Sequence, residues 1–139
     1  MRFPKGVREI RSQTTEKYPH GELTEKIIGC AITVHRSLGA GYVEAIYENA
    51  LCVELLKAGL TFERQKAVPV SYKSVLVGEH RIDILVDGIV VVELKAVSEL
   101  TDQHVSQLMS TMKAASAEVG LLMNFGEARL IDGLRRIIL

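Results

Sequence analysis

The stretch that decides the fold runs from Arg81 to Lys95 and reads RIDILVDGIVVVELK. Two runs of strand-forming apolar residues flank Asp87-Gly88, a dipeptide typical of a hairpin turn. Three charged residues, Asp83, Glu93 and Lys95, interrupt these apolar runs. Because a buried carboxylate or ammonium is costly unless it is paired or bound to a metal, these three charges require partners.

The register of this hairpin decides whether the three charges share a face of the sheet. The alternating apolar residues are Ile82, Ile84 and Val86 on the first strand, and Val90, Val92 and Leu94 on the second. If both sets face the core, even-numbered residues of one strand must pair with even-numbered residues of the other. A plain two-residue turn at Asp87-Gly88 would instead pair even-numbered with odd-numbered residues. We therefore predict a three-residue loop or a bulge, with Gly88 in the left-handed conformation.

In that register Asp83, Glu93 and Lys95 lie on one face, where residues on neighbouring strands have Cβ atoms about 5 to 8 Å apart. Two carboxylates at this spacing can bind one Mg²⁺, which keeps several of its waters. Lys95 can then position or help deprotonate an attacking water. A cross-strand Glu-Lys ion pair on a solvated face would show the same pattern, so the stretch alone leaves both interpretations open.

Composition limits the classes of function only weakly. With 139 residues and 47% apolar content, the chain is expected to form one domain with one core. Its 17 basic and 17 acidic residues balance, so any phosphate-binding surface must be local. Because neither a signal-peptide pattern nor an apolar run of about 18 residues occurs, we expect a cytoplasmic protein without a membrane segment. The two cysteines, Cys30 and Cys52, are predicted to be small buried apolar residues.

Residues 1–20 are polar and are predicted to form a basic arm ahead of the domain at residues 21–139. Its cations are Arg2, Lys5, Arg8, Arg11 and Lys17. The arm is interpreted either as a solvated tail or as a contact for phosphates.

The domain begins with two predicted helices. Apolar spacing indicates the first from Glu22 to Leu38, ending at Gly39, and the second from about Val43 to Ala58. The second helix is expected to turn Ile46, Ala50, Val53 and Leu56 toward the core.

Antiparallel strands are predicted to follow through Val86, and the strand carrying Glu93 comes next. A helix from Thr101 to Ala115, a buried strand from Val119 to Phe125 and a final strand or strand pair over residues 128–139 complete the order. Because a helix joins the Glu93 strand to the next strand, we predict an α/β domain whose mixed central sheet is flanked by helices.

A second motif lies at residues 39–51, which read GAGYVEAIYENAL. Glu44, Tyr47, Glu48 and Leu51 lie one turn apart on one helix face, next to a glycine turn that would bring the backbone close to a ligand. Here the chain resembles the GxxExxY proteins of the PD-(D/E)XK nuclease-like superfamily, through Gly41-x-x-Glu44-x-x-Tyr47. The resemblance extends from about Leu23 to Leu139. It includes HRSLGAG at 35–41, RID at 81–83, VELKAV at 92–97, HVSQL at 104–108, GLLMNFG at 120–126 and RIIL at 136–139.

The resemblance implies a restriction-endonuclease-like core and a Mg²⁺-dependent phosphodiesterase centre, with Mn²⁺ as a substitute. By position, the catalytic residues would be Asp83, Glu93, Lys95, Glu44 and Gln107. Asp83 and Glu93 would bind the metal, and Glu44 would match a helical acid that reaches the metal directly or through water. Gln107 would match a glutamine on the helix after the Glu-x-Lys strand. In relatives resembling RecB-type nucleases a tyrosine follows four residues later, whereas this chain has Thr111.

Three further residues are candidates for supporting roles. His35 is expected to be structural or to contact the residues of the centre without binding the metal. His104 is expected either to border the centre or to be structural. Tyr47 either hydrogen-bonds a carboxylate or packs its ring. The leading hypothesis is a nuclease whose nucleic-acid partner is DNA and which hydrolyses its phosphodiester bonds. The alternatives are an inactive binding or interaction module with the same fold and a subunit that acts only within a larger complex or a homodimer.

Overall fold

The computed structural model describes residues 6–10 and 18–139. The elements in chain order are β1 (Arg8–Ile10), α1 (Gly21–Leu38), α2 (Glu44–Lys57), β2 (Phe62–Tyr72), β3 (Val75–Val86), β4 (Val90–Lys95), α3 (Asp102–Ala114), β5 (Val119–Asn124) and β6 (Leu134–Ile138), with a short 3₁₀ helix at Leu130–Gly133 before β6. No helix in this described part of the chain is long and apolar enough to span a bilayer.

The six strands form one sheet in the order β1-β6-β5-β4-β3-β2. Only β4 and β5 run parallel, and α3 provides the crossover that a parallel pair needs. One core lies between the sheet and helices α1 and α2, and the other lies between the sheet and α3. The predicted mixed sheet flanked by helices is therefore confirmed.

The predicted basic arm is only partly described. Arg8–Ile10 form strand β1, which pairs antiparallel with β6, so these three residues belong to the sheet. Its other cations, Arg2, Lys5, Arg11 and Lys17, lie outside the described residues.

The bounds predicted for α2 agree with the structure, but its predicted inward face is wrong. Ile46, Val53 and Leu56 are 40%, 52% and 67% exposed, whereas the buried face carries Tyr47, Glu48, Leu51, Cys52 and Leu55. The periodicity misleads because Glu48 is charged and was not expected to be buried. Its carboxylate is bound by Arg64 of β2, and this partner allows the acid to lie inside.

The predicted register of the β3–β4 hairpin is confirmed. Val86 pairs with Val90 and Ile84 pairs with Val92, so the loop has three residues. Gly88 takes a left-handed conformation with φ 68°, and Asp87 before it has φ 52°. The Asp87 carboxylate accepts hydrogen bonds from the backbone N–H and hydroxyl of Thr61, which hold the turn against the start of β2.

One detail of the alternation on β3 was predicted wrongly. Ile84 and Val86 face the α1–α2 side as expected, but Ile82 packs in the core on the α3 side. The change of side coincides with an interruption in the β2–β3 pairing at Gln65, between the pairs Arg64–Ile84 and Lys66–Ile82. The backbone turn at this point lies beside Asp83.

The end of β4 is held by the chain that leaves β5. Asn124 is fully buried, and its side chain accepts from the N–H of Val97 and donates to the Val97 carbonyl. The N–H of Phe125 donates to the Lys95 carbonyl at 2.8 Å. At Gly126 a Cβ atom would overlap the Val97 carbonyl oxygen, so only glycine fits. These contacts fix the backbone that carries Lys95.

Candidate metal centre

The candidate centre lies where the pairing of β3 and β4 ends. The last paired residues are Ile84 and Val92, and the next positions along the two strands are Asp83 and Glu93. Asp83 Oδ2 accepts a hydrogen bond of 2.9 Å from the N–H of Leu94. The Glu93 carboxylate accepts one from the backbone N–H of Asp83. Each acid therefore binds the backbone of the opposite strand.

The charges of Glu44, Asp83, Glu93 and Lys95 act on one another. Burial and the nearby Asp83 carboxylate raise the pKa of Glu93 to about 8, although Lys95 opposes the shift. Burial also raises the pKa of Asp83, against the opposing hydrogen bond from Leu94. The pKa of Glu44 is raised by burial and then by Asp83. The structure thus brings together four of the five predicted catalytic residues.

This donor set fits a hard divalent cation. The pKa values of all three carboxylates are raised, first by burial, so their negative charges are disfavoured, and a bound cation would stabilise them. Within residues 6–10 and 18–139, no three His, Cys, Asp or Glu side chains converge as a ready-made metal cage. Mg²⁺ does not require such a cage, because it commonly binds one or two carboxylates and completes its shell with water and substrate phosphate.

The raised pKa of Glu93 predicts that the stability of the metal-free protein depends on pH. Because the pKa of Glu93 is about 8 when folded and near 4.5 when unfolded, the folded state binds its proton more tightly. The free energy of unfolding should therefore fall as pH rises from about 4.5 to 8. Glu93→Gln should remove the part of this decline that Glu93 causes and be more stable than the wild type at pH 8 by on the order of 2 kcal/mol, after allowance for solvent screening.

Thermal unfolding of both proteins in EDTA at pH 5 and pH 8 measures this effect. Glu79→Gln on the exposed part of β3 is the matched control and should follow the wild type. If Glu93→Gln and the wild type differ in stability by the same amount at pH 5 and pH 8, the raised pKa of Glu93 is contradicted.

Sequence reasoning missed a network behind Asp83 that joins α2 to β2. Arg64 donates to Glu48 Oε2 from Nε at 3.1 Å and from Nη2 at 2.6 Å. Gln65 Nε2 donates to Glu48 Oε1 at 2.7 Å and lies 3.5 Å from Asp83 Oδ1. Both oxygens of Glu48 are therefore engaged by side chains of β2. A sequence signal existed for Glu48, four residues after Glu44 on the same face, but none existed for Arg64 and Gln65.

Helix α3 presents His104 to the centre. Burial and the charge of Lys95 lower the pKa of His104. Its Nδ1 accepts from the N–H of Thr101, and its own N–H donates to the Thr101 hydroxyl, so His104 also caps the helix. The ring therefore borders the centre and has a structural role as well.

Gln107 and Thr111 follow on the same helix. Gln107 is exposed, and the structure shows no side-chain contact between it and the carboxylates. Thr111 is buried: its hydroxyl donates to the Gln107 carbonyl at 3.0 Å and lies 2.8 Å from His80 Nδ1. Since the only hydroxyl proton is used, His80 Nδ1 is the donor in that contact. Thr111 thus points inward.

His35 and Tyr47 make their hydrogen bonds to backbone groups. His35 Nε2 donates to the Glu127 carbonyl at 2.8 Å. The Tyr47 hydroxyl donates to the Gly39 carbonyl and accepts from the N–H of Tyr42. Both rings stack on Phe125. Tyr47 therefore holds the glycine turn that leads into α2, and α2 carries Glu44. His35 instead joins the end of α1 to the segment that follows β5.

Comparison with known proteins places the chain in a superfamily. Neither a search of curated proteins nor a search of solved structures found a match. The family model described as the PD-(D/E)XK nuclease superfamily matches residues 21–137. The mixed sheet with helices on both faces confirms the predicted restriction-endonuclease-like fold. Since the match covers most of its length, the chain belongs to the PD-(D/E)XK nuclease superfamily.

Proposed function

We propose that the protein is a Mg²⁺-dependent nuclease of the GxxExxY type that hydrolyses phosphodiester bonds of DNA. The observation that carries this proposal is the opposition of Asp83 and Glu93 at the end of the β3–β4 pairing, within electrostatic range of Lys95 and Glu44. Membership of a nuclease superfamily supports nucleic acid as the substrate. The cytoplasmic location expected from the sequence stays a prediction.

The proposed roles follow from the placement of each side chain. Asp83 and Glu93 would hold the ion, for which Mn²⁺ would substitute, and Glu44 would reach it directly or through a water. When bound, the ion would polarise the phosphate and lower the pKa of an attacking water. Lys95 orients that water and offsets the negative charge that develops on the phosphate oxygens.

Two residues of α3 have proposed roles toward the substrate. Gln107, exposed on this helix, is proposed to contact the substrate strand. His104 borders the same space through its proximity to Lys95.

Metal titration and DNA cleavage test the proposal together. Calorimetry should show that purified protein binds Mg²⁺ or Mn²⁺, and labelled single- or double-stranded DNA should be cut only when one of these ions is present. EDTA should stop the reaction. If neither metal binding nor cleavage of either DNA form is observed, the proposal is wrong.

One observation favours the alternative of a binding module without turnover. Thr111 stands at the tyrosine position of RecB-type relatives and bonds to His80 inside the protein, so that helix position offers no side chain to DNA. Crystals soaked in Mn²⁺ distinguish the two functions. Metal density between Asp83 and Glu93 would favour the nuclease, whereas an ion pair from Lys95 closing the site would favour the binding module.

Self-association is a further proposal about partners. The tip of the β2–β3 hairpin exposes more than half of the surface of Tyr72, Val75, Leu76 and Val77. Clusters of exposed apolar side chains commonly mark protein interfaces. Light scattering over a range of concentrations should report a homodimer, and a constant monomer mass would contradict the proposal.

A further inference from the structure

Gln65 has an unusual backbone conformation in the middle of a strand. Its φ is 50°, in the left-handed region that residues other than glycine rarely adopt, although β2 extends on both sides of it. Pairing with β3 is interrupted here and resumes at once. The Gln65 carbonyl accepts a hydrogen bond of 3.0 Å from Arg81 Nη1, which helps to hold the strained conformation. Strain of this kind persists only where surrounding contacts enforce it, and it clusters at functional sites.

The side chain of Gln65 lies between two acids on different elements. Its Nε2 donates to Glu48 Oε1 of α2 at 2.7 Å and lies 3.5 Å from Asp83 Oδ1 of β3, at the outer limit of a hydrogen bond. The other Asp83 oxygen accepts from the N–H of Leu94. Both oxygens of Asp83 therefore face a donor held by the fold.

Glu48 is a firm anchor for this arrangement. Glu48 is 7% exposed, and its carboxylate accepts two hydrogen bonds from the guanidinium of Arg64. Arg64 also donates to Asn49 on the same helix. A strand residue in the ordinary extended conformation would alternate with its neighbours and would not place both Arg64 and Gln65 on Glu48. The left-handed backbone of Gln65 permits this double contact.

We propose that Gln65 is a positioning residue, whose strained backbone places its amide between Glu48 and Asp83 so that helix α2 sets the orientation of the Asp83 carboxylate. This inference rests on the proposed function in one respect, because Asp83 acts there as a metal ligand. Groups that orient ligands typically change metal affinity by 10- to 100-fold when they are removed.

Two substitutions separate the side chain from the backbone. Gln65→Asn tolerates the left-handed conformation but is one methylene too short to bridge the two acids, and Gln65→Gly relieves the strain and removes the side chain. Calorimetric titration with Mn²⁺ should give affinities weaker by roughly 10- to 100-fold for both. Their melting temperatures in EDTA should stay within about 4 °C of the wild type.

Lys73→Gly is the matched control, because Lys73 also has a left-handed backbone (φ 49°) but lies at the hairpin tip. This variant should bind Mn²⁺ as the wild type does. Wild-type affinity in Gln65→Asn and Gln65→Gly would overturn the proposal.

A metal-free measurement keeps the proposal distinct from the proposed function. In EDTA, the melting temperature of Gln65→Gly/Asp83→Ala should differ by at least about 2 °C from the value that the two single variants predict by addition. Additive shifts would overturn the positioning role. If the wild type binds no Mn²⁺, the proposed function fails. The comparison of the double variant with the two single variants then decides by itself whether Gln65 orients Asp83.

Discussion

Asp83→Asn and Glu93→Gln are each expected to reduce metal-dependent DNA cleavage by about 10³-fold or more. Each change removes a negative charge from the end of the β3–β4 pairing, where the two acids oppose one another. A metal ion stabilises the transition state of phosphoryl transfer by several kcal/mol, and every 1.36 kcal/mol corresponds to a factor of about ten in rate. Loss of the ion therefore predicts loss of nearly all turnover.

The two variants should remain folded, because each amide keeps an oxygen that can accept the backbone hydrogen bond made by the original acid. Circular dichroism checks the fold, calorimetry checks metal binding, and a labelled DNA substrate reports cleavage. Glu79→Gln, on the exposed part of β3, should cut DNA at the wild-type rate. Undiminished cleavage by either centre variant would place the chemistry elsewhere.

Lys95→Met should separate turnover from metal binding. Its ammonium lies within electrostatic range of Glu93, Asp83 and Glu44 but is a cation and does not ligate a metal. A group that assists proton transfer or stabilises developing charge typically contributes about 10²- to 10⁴-fold to the rate. We therefore expect kcat to fall in this range, while the affinity for Mg²⁺ changes little.

Lys95→Arg tests the geometry of the same group. The planar guanidinium stays protonated and is larger, so it should restore only a small part of the rate. Lys113→Met, an exposed lysine in the last turn of α3, is the matched control and should leave kcat unchanged. A Lys95→Met variant with full kcat would exclude this lysine from the reaction.

The parts of the fold that the sequence predicted depend on local rules. The three-residue loop at Asp87–Ile89 follows from period-two alternation and a turn dipeptide, and both can be read within a dozen residues. The start of α3 follows from the cap at Thr101, and the end of α1 follows from Gly39. The same alternation predicted that Asp83 and Glu93 oppose each other.

The parts that could not be predicted depend on contacts between distant residues. The inward face of α2 was misjudged because the partner of Glu48, Arg64, comes 16 residues later and reaches it from a strand. The change of side at Ile82 coincides with the left-handed backbone of Gln65 on the neighbouring strand, and no rule assigns that conformation to glutamine in a strand. Likewise, only the folded chain shows that Thr111 bonds to His80.

The position of the candidate centre at the open end of the β3–β4 pairing has an evolutionary consequence. Asp83 and Glu93 lie just beyond the last β3–β4 pair, and an amide at either position can still accept the backbone hydrogen bond that the acid accepts. The joining of the two strands therefore does not depend on their charges. The burial of the Glu93 carboxylate, with Asp83 beside it, destabilises the metal-free protein. A lineage could therefore lose catalysis through one or two substitutions and keep, or even strengthen, its scaffold. In a superfamily built this way, descendants that only bind nucleic acid should arise readily from ancestors that cut it.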